Sequence, residues 1–277
     1  MMKRYFWGML MIAVLMTAVF TVQAWAASID TSTSSDGYIT ASHSGGGKIK
    51  VQVEKDGVKY NYNLNNDGYS EAFPLQMGDG TYTAKVLENV GGNKYAVLKS
   101  ESFSVSLSSP MAPYLVPNQM VDYSDTSSTV SKASSLVADK TTKPGKVEAV
   151  YNYVVGNISY DTYKASTVSS GYVPDVDSVL SEGTGICFDY AAVTAAMLRS
   201  QGIPTRLVTG YVSPANAYHA WNEVYLDEAG WVNANEVYFD GTSWKRMDPT
   251  FASSGKSSSS ILQYIGNGSN YTKKYTY

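Results

Sequence analysis

Cys187 is the only cysteine in a chain of 277 residues, and His219 is one of two histidines. Cys187 follows the turn Gly183-Thr184-Gly185 and opens a stretch over 190–199 whose Ala and Leu content predicts a helix, stopped by Gly202 and Pro204. A cysteine at a helix N-terminus faces unpaired backbone N–H groups and the positive end of the helix dipole. Both favour thiolate over thiol, and the thiolate is the nucleophile. Such a thiol needs a base to take its proton and later protonate the leaving group, and the base needs an acceptor that orients it. His43 sits in Ser42-His43-Ser44-Gly45-Gly46, the composition of a solvated loop, which leaves His219 as the base. Asp248, at the end of a downstream strand, would lie beside His219 if the strands are antiparallel neighbours. Asp227, Asp240 and Glu223 are the alternative acceptors. A zinc site from Cys187, His219 and Asp248 is the competing chemistry, but the three lack the spacing of a structural zinc motif. Taken singly, each residue also has an ordinary reading: a small buried hydrophobe, a packed imidazole, the first residue of a turn.

The elements that must position these groups are legible as patterns. Residues 218–226 read as a strand with His219, Trp221, Glu223 and Tyr225 on one face, and 205–212 as a strand with Leu207, Thr209 and Tyr211 on one face. Residues 231–239 read as a third strand, Asp240-Gly241 as a hairpin turn and 244–247 as a fourth strand. The echo of Asn222-Glu223-Val224-Tyr225 in Asn235-Glu236-Val237-Tyr238 suggests two neighbouring strands. Upstream, Pro144 marks a helix start, with Val147, Val150, Tyr151 and Val154 on one apolar face and Gly156-Asn157 at its end. A polar segment over 125–139 is helix-compatible, with Val130, Ala133, Ser134 and Val137 on one side. Residues 253–260 read as a low-complexity loop and the remainder as a polar, tyrosine-rich tail.

The first third of the chain is different in kind. Ile49, Val51 and Val53 alternate with Lys50, Gln52 and Glu54; Tyr60, Tyr62 and Leu64, then Tyr82, Ala84 and Val86, then Phe103, Val105 and Leu107 repeat the period of two. Asp56-Gly57, Asp67-Gly68, Asp79-Gly80 and Gly91-Gly92 separate the runs. Short strands at that spacing predict a small antiparallel β-sandwich over 27–108, without a cluster of catalytic residue types. Before it, Lys3 and Arg4 precede an apolar run from Phe6 to Phe20, and Ala24-Trp25-Ala26 has the form of a cleavage site. A signal peptide over 1–26, cut before Ala27, and an exported protein are therefore expected. A formal charge of −3 with no basic cluster argues against a nucleic-acid partner. An exported chain with one cysteine forms no internal disulfide and carries a free thiol. The twenty-three tyrosines fit a strand-rich fold with a polar surface.

Several blocks together resemble the transglutaminase-like superfamily. They are Ile158-Ser159-Tyr160-Asp161, Gly185-Ile186-Cys187-Phe188-Asp189-Tyr190-Ala191, Leu198-Arg199-Ser200-Gln201-Gly202-Ile203-Pro204-Thr205-Arg206, Gly210-Tyr211, His219-Ala220-Trp221-Asn222-Glu223-Val224-Tyr225 and Asp248-Pro249-Thr250. The resemblance covers roughly residues 143–251. It implies an α+β, papain-like core in which a cysteine-bearing helix packs on an antiparallel sheet, with Cys187, His219 and Asp248 as catalytic residues. The chain departs from the family pattern in two places. Residues 230–240 intervene between the histidine strand and the Asp-Pro-Thr block, so an extra strand or hairpin must be accommodated. Animal cross-linking members use a tryptophan upstream of the cysteine to stabilise the oxyanion, but no Trp lies between Trp25 and Trp221. Tyr160, or backbone N–H groups around Cys187, would take that role. No carboxylate-rich loop suggests calcium dependence, and no cofactor is expected. Asp189 and Arg206 read as structural.

The organisation expected is thus a signal peptide (1–26), a β-sandwich (27–108), a linker and helical lead-in (109–142), a transglutaminase-like catalytic domain (143–251) and a polar tail (252–277). The function expected is that of a secreted or cell-wall-associated thiol enzyme acting on protein or peptide amides through a Cys187 thioester, with hydrolysis favoured. An amine-accepting cross-linker, or a non-catalytic module that binds the cell envelope, is the alternative. Partners would be protein or peptide substrates and cell-wall or surface proteins, with no membrane-spanning segment after signal cleavage.

Overall fold

The computed structural model describes residues 27–233 and 237–277. The expected signal peptide lies outside the described residues. In chain order the elements are β1 (Ser28–Asp30), β2 (Tyr38–Ser42), β3 (Ile49–Lys55), β4 (Val58–Leu64), β5 (Glu71–Pro74), β6 (Gly80–Gly91) and β7 (Lys94–Val105). They are followed by α1 (Ser128–Val137), α2 (Lys143–Asn157), β8 (Ser159–Tyr160), α3 (Thr162–Thr167), α4 (Val176–Glu182), β9 (Thr184–Gly185) and α5 (Cys187–Arg199). Last come β10 (Thr205–Val212), β11 (Ala217–Tyr225), β12 (Ala229–Val232), β13 (Val237–Asp240), β14 (Trp244–Met247), α6 (Pro249–Ser254), α7 (Ser259–Gly266) and β15 (Tyr271–Thr276).

The first seven strands form two antiparallel sheets, ordered β1-β2-β5 and β4-β3-β6-β7. Ile39 and Phe73 from one sheet and Val51, Tyr62, Tyr82 and Val86 from the other share a single core. Because side chains alternate across a strand, the residues between them, Lys50, Gln52, Asn61 and Asn63, stand on the outer face. The period-two reading of β3, β4 and β6 corresponds to this burial; β7 is an edge strand, with only Val105 fully buried.

The second half packs helices on one face of the antiparallel sheet β14-β11-β10-β15. Helix α5 is at the centre, buried from Asp189 to Arg199, with α1, α2, α4 and α6 around it. The α2 stripe is the one its spacing predicts, with Val147, Val150, Tyr151 and Val154 all buried. In α1 the buried stripe is Thr129, Ala133 and Val137, while Ser134 is exposed. Thr129 is accepted in the interior because its hydroxyl donates to the Val176 carbonyl at 3.1 Å. With this sandwich and a cysteine-bearing helix packed on an antiparallel sheet, the chain is an α+β protein.

Two expectations change. The tail from 252 onward is ordered: it contributes to α6, forms α7, and ends in β15, which pairs with β10 from Val212↔Tyr271 to Val208↔Thr276. The physical reason is that β10 would otherwise be a bare edge. Across the register shift in β15, Tyr271 packs with Val212 and Trp221, while Tyr275 and Tyr277 pack against the sandwich. The segment expected as one strand over 231–239 instead divides, and β12 and β13 pair with each other as a separate hairpin. The neighbours of β11 are β10 and β14, so the Asn-Glu-Val-Tyr echo does not mark adjacent strands.

The halves meet through aromatic rings. Tyr60 packs against Tyr275 and Tyr277 with centroids 5.5 and 5.8 Å apart, and Tyr62 lies 6.1 Å from Tyr277. Buried Arg199 joins three segments, donating to the carbonyls of Thr205 (2.8 Å), Val116 (2.9 Å) and Tyr277 (2.8 Å).

Candidate active site

Cys187 is the first residue of α5 and is half-buried. The helix start is organised by Asp189, whose Oδ2 accepts from the Ile186 backbone N–H at 2.8 Å. This carboxylate is fully buried and also accepts from the Tyr172 hydroxyl (2.5 Å) and pairs with Lys164 (2.7 Å). Gly185 makes room for it: a Cβ there would stand 2.6 Å from the Asp189 Cβ. Burial lowers the Lys164 pKa, but the Asp189 partner outweighs it and the net direction is upward. A short helix and the loop behind it are therefore tied to the front of α5.

His219 enters from β11 and is buried. Its parity is the one expected: Ala220 and Val224 face the helical core, whereas Trp221 on the opposite face packs against Tyr271. The imidazole stacks on Phe251 with centroids 4.4 Å apart and an 11° interplanar angle. Its Nε2 is 2.8 Å from Asp248 Oδ2, leaving Nδ1 as the other ring nitrogen. Burial alone would depress the imidazole pKa. The Asp248 carboxylate, by charge and hydrogen bond, and then Cys187 overcome that and push it up to about 10. The surroundings of His219 thus favour the imidazolium form, next to the chain's one thiol.

Asp248 is completely buried and each of its oxygens has work of its own. Oδ1 caps α6 by accepting from Phe251 N at 3.0 Å, while Oδ2 accepts from both His219 and the Tyr271 hydroxyl, the latter at 2.9 Å. Its backbone carbonyl accepts from the Tyr151 hydroxyl at 3.1 Å. Helix capping and contact with His219, which look like alternatives in the sequence, coexist in one carboxylate. The other candidate acceptors are engaged elsewhere. Asp227 pairs with Lys143; Asp240 accepts from Thr242, Ser243 and Lys245; Glu223 pairs with Arg206 and Lys273. Among the described residues, no cluster of three or more His, Cys, Asp and Glu side chains is arranged to hold a metal ion.

Tyr160 lies on β8, paired in parallel with Gly185 of β9 just before the cysteine, and it is 41% exposed. Burial, then the proximity of Cys187 and Tyr190, raises its hydroxyl pKa. Tyr160, Cys187, Phe188 and His219 line a cleft of about 620 Å³. Arg206 stacks on Trp244 at 3.8 Å and on Tyr114 at 4.7 Å, away from this cleft. Tyr271, Phe251, Lys164 and Tyr172 were not singled out from the sequence. For Tyr271 a signal existed in the tyrosine alternation of the last seven residues. For Lys164 and Tyr172 none did, because their partner Asp189 is reached only through folding.

Residues 130–235 match the family described as the transglutaminase-like superfamily. Over these residues the chain carries a transglutaminase-like core. The matched segment includes Cys187 and His219 and stops before Asp248. Curated relatives align over parts of it: 33% identity over 118 residues with the uncharacterized protein YebA of Bacillus subtilis, and 35% over 71 residues with the protein-glutamine gamma-glutamyltransferase of Pseudomonas aeruginosa. These stretches are 36% and 21% of this chain but only 16% and 11% of the relatives. The chain thus spans a small part of the length of either. The periplasmic domain of TgpA from Pseudomonas aeruginosa aligns over 87% of this chain and 98% of its own, at 14% identity and a TM-score of 0.38. No described helix is long and apolar enough to cross a membrane. In the transglutaminase-like core, the first turn of α5 and the near end of β11 meet at the cleft, and residues beyond the matched segment, Asp248, Phe251 and Tyr271, close the far side of His219.

Proposed function

We propose that the protein is an exported thiol enzyme that transfers the acyl group of a protein or peptide amide, with Cys187, His219 and Asp248 as its catalytic residues. The observation that carries the reading is the His219–Asp248 hydrogen bond, buried and braced by Phe251 and Tyr271, beside a half-buried thiol in an open cleft. With the proton of the pair held on His219, the Cys187 sulfur attacks the amide carbonyl. The C–N bond of the resulting tetrahedral intermediate breaks as His219 returns its proton to the leaving amine, and a thioester remains. Asp248 holds the imidazolium and its orientation throughout. Tyr160, on the strand next to Gly185, is the oxyanion donor in this scheme, with backbone N–H groups at the start of α5 as the other source. Water then attacks the thioester as His219 takes its proton, and the C–S bond breaks, releasing a carboxylic acid and restoring the Cys187 sulfur beside a protonated His219.

Hydrolysis is favoured because the cleft is open enough for water to reach a thioester on Cys187. Aminolysis by a lysine is the second reading, supported by the similarity to a protein-glutamine gamma-glutamyltransferase. Both separate in one experiment: the protein is incubated with glutamine-containing peptides and a primary amine, and products are identified by mass spectrometry. A mass gain of one unit on glutamine, or a cut peptide, marks hydrolysis; an amine adduct marks cross-linking. Cys187→Ala should abolish either. Equal product with the Cys187→Ala protein would remove the thiol from the chemistry, and no product from any peptide with the native one would leave a binding module as the better description.

A further inference from the structure

The cleft is not built by the transglutaminase-like half alone. Lys50 on β3 and Asn61 and Asn63 on β4 form part of its lining, together with Gln119 from the segment that joins the halves. Lys50, Asn61 and Asn63 belong to the outer face of the sandwich, where Lys50 stands opposite Asn63 in the register. The arrangement is held in place. The side chain of Gln52 donates to Asn61 Oδ1 at 2.9 Å, which directs the Asn61 amide N–H₂ outward as a donor. Gln119 Nε2 donates to the Asn63 backbone carbonyl and to Glu71, while its Oε1 has no partner. Gly171, on the loop behind α3, leaves space for the Asn63 side chain, since a Cβ there would lie 2.9 Å from Asn63 Nδ2. Strand β4 therefore abuts the same loop that Asp189 ties to the cysteine helix.

The chemistry of this wall is specific. It offers side-chain amides that can both donate and accept, which suits the alternating N–H and C=O groups of an extended peptide. No Asp or Glu lines the cleft, and Lys50 is its only Lys or Arg. The Lys50 ammonium lies 4.9 Å from the centre of the Tyr95 ring and makes no ion pair among the described residues. A lysine held so, uncompensated, attracts a carboxylate.

We infer that the N-terminal sandwich is the substrate-reading wall of the site, in which Asn61 and Asn63 hold the backbone of a peptide acyl donor and Lys50 takes an acidic group flanking the reactive amide. This rests on the proposed acyl-transfer reading, but its test does not require turnover. Three hexapeptides with a central glutamine flanked by glutamate, alanine or lysine are titrated calorimetrically into the full Cys187→Ala protein, which binds without reacting. The glutamate peptide should bind ~10-fold more tightly than the lysine peptide, a difference typical of one charge interaction near a surface. Lys50→Glu should invert that order. An Asn61→Ala/Asn63→Ala protein should weaken all three by a similar ~5–10-fold, as expected for lost hydrogen bonds without charge selection. Equal binding of the three peptides, an order untouched by Lys50→Glu, or no binding at all would overturn the inference. Alkylation of Cys187 by iodoacetamide in the Lys50→Glu protein, expected within twofold of native, shows that the variant is folded. Product formation by the native protein, measured separately, decides the acyl-transfer reading: turnover with no charge preference sinks only the sandwich wall.

Discussion

The two halves of the molecule handle polarity in opposite ways. In the sandwich, alternation sends the charged side chains outward, and the polar groups enclosed in its core are tyrosine hydroxyls such as that of Tyr82, which donates to the Leu75 carbonyl. The helical half encloses Asp189, Arg199, His219, Glu223 and Asp248 at 6% exposure or less. An enclosed charge is costly unless it is paired or well hydrogen-bonded: the carboxylates and His219 have ionic partners, and Arg199 donates to three carbonyls. The sandwich is thus a scaffold whose stability comes from apolar packing, with the proposed peptide-reading wall on its outer surface. The other half accepts the cost of internal charge where it holds joints or does chemistry.

The difference can be broken first at its strongest point. Asp248→Ala should lower kcat/KM by ~10²-fold or more, because His219 loses the carboxylate that orients and charges it. The rate of Cys187 alkylation should fall with it, and circular dichroism should show the fold retained. Native-like alkylation of Asp248→Ala would remove Asp248 from the site. In the sandwich, Val86→Ala at a fully buried position of β6 should cost about 2 kcal/mol of stability in urea unfolding. Alkylation of Cys187 should stay within twofold of native. A large change there would mean that the scaffold and the site are one cooperative structure.

Tyr271→Phe sharpens the comparison, since it deletes a single hydrogen bond to Asp248 and keeps the ring on Trp221. A ~5–10-fold loss in kcat is expected, as for about 1 kcal/mol, with KM unchanged. A pure KM effect would count against a positioning role. The pH dependence of stability separates the halves again. His219 has a folded pKa of about 10 against an ordinary 6.5, so its contribution is complete below pH 6.5 and is lost as pH rises through about 10. Urea midpoints measured from pH 6 to 9.5 should decline, and His219→Gln should flatten that decline. Asp240→Ala should have the smallest effect: this carboxylate is held by its own turn and Lys245, and turnover should be unchanged. An inert Asp240→Ala protein would show that the β12–β13 hairpin enters the chemistry.

Much of this was legible in the amino-acid sequence, for reasons that are local. A period of two in β3, β4 and β6 and a period near 3.6 in α2 record which face each element buries, because each requires only the spacing of one chain segment. The counts of one cysteine and two histidines, with His43 in a loop of Ser and Gly, point to Cys187 and His219 as the proposed nucleophile and base without any structure. Tertiary structure alone decided what depended on distant partners. The pairing of β15 with β10, which turns an apparent tail into the strand carrying Tyr271, joins residues about sixty positions apart. Whether Asp248, Asp240, Asp227 or Glu223 faces His219 could not be read from residue type, since four carboxylates have the same chemistry and differ only in where the sheet puts them. Strand register answered it: β14 pairs with β11 from Asn222↔Met247, so the residue after Met247 reaches the imidazole, while the intervening hairpin folds on itself. The same holds for Lys50, which the sequence presents as one more outward lysine of an alternating strand and only the meeting of the two halves brings to the thiol's cleft.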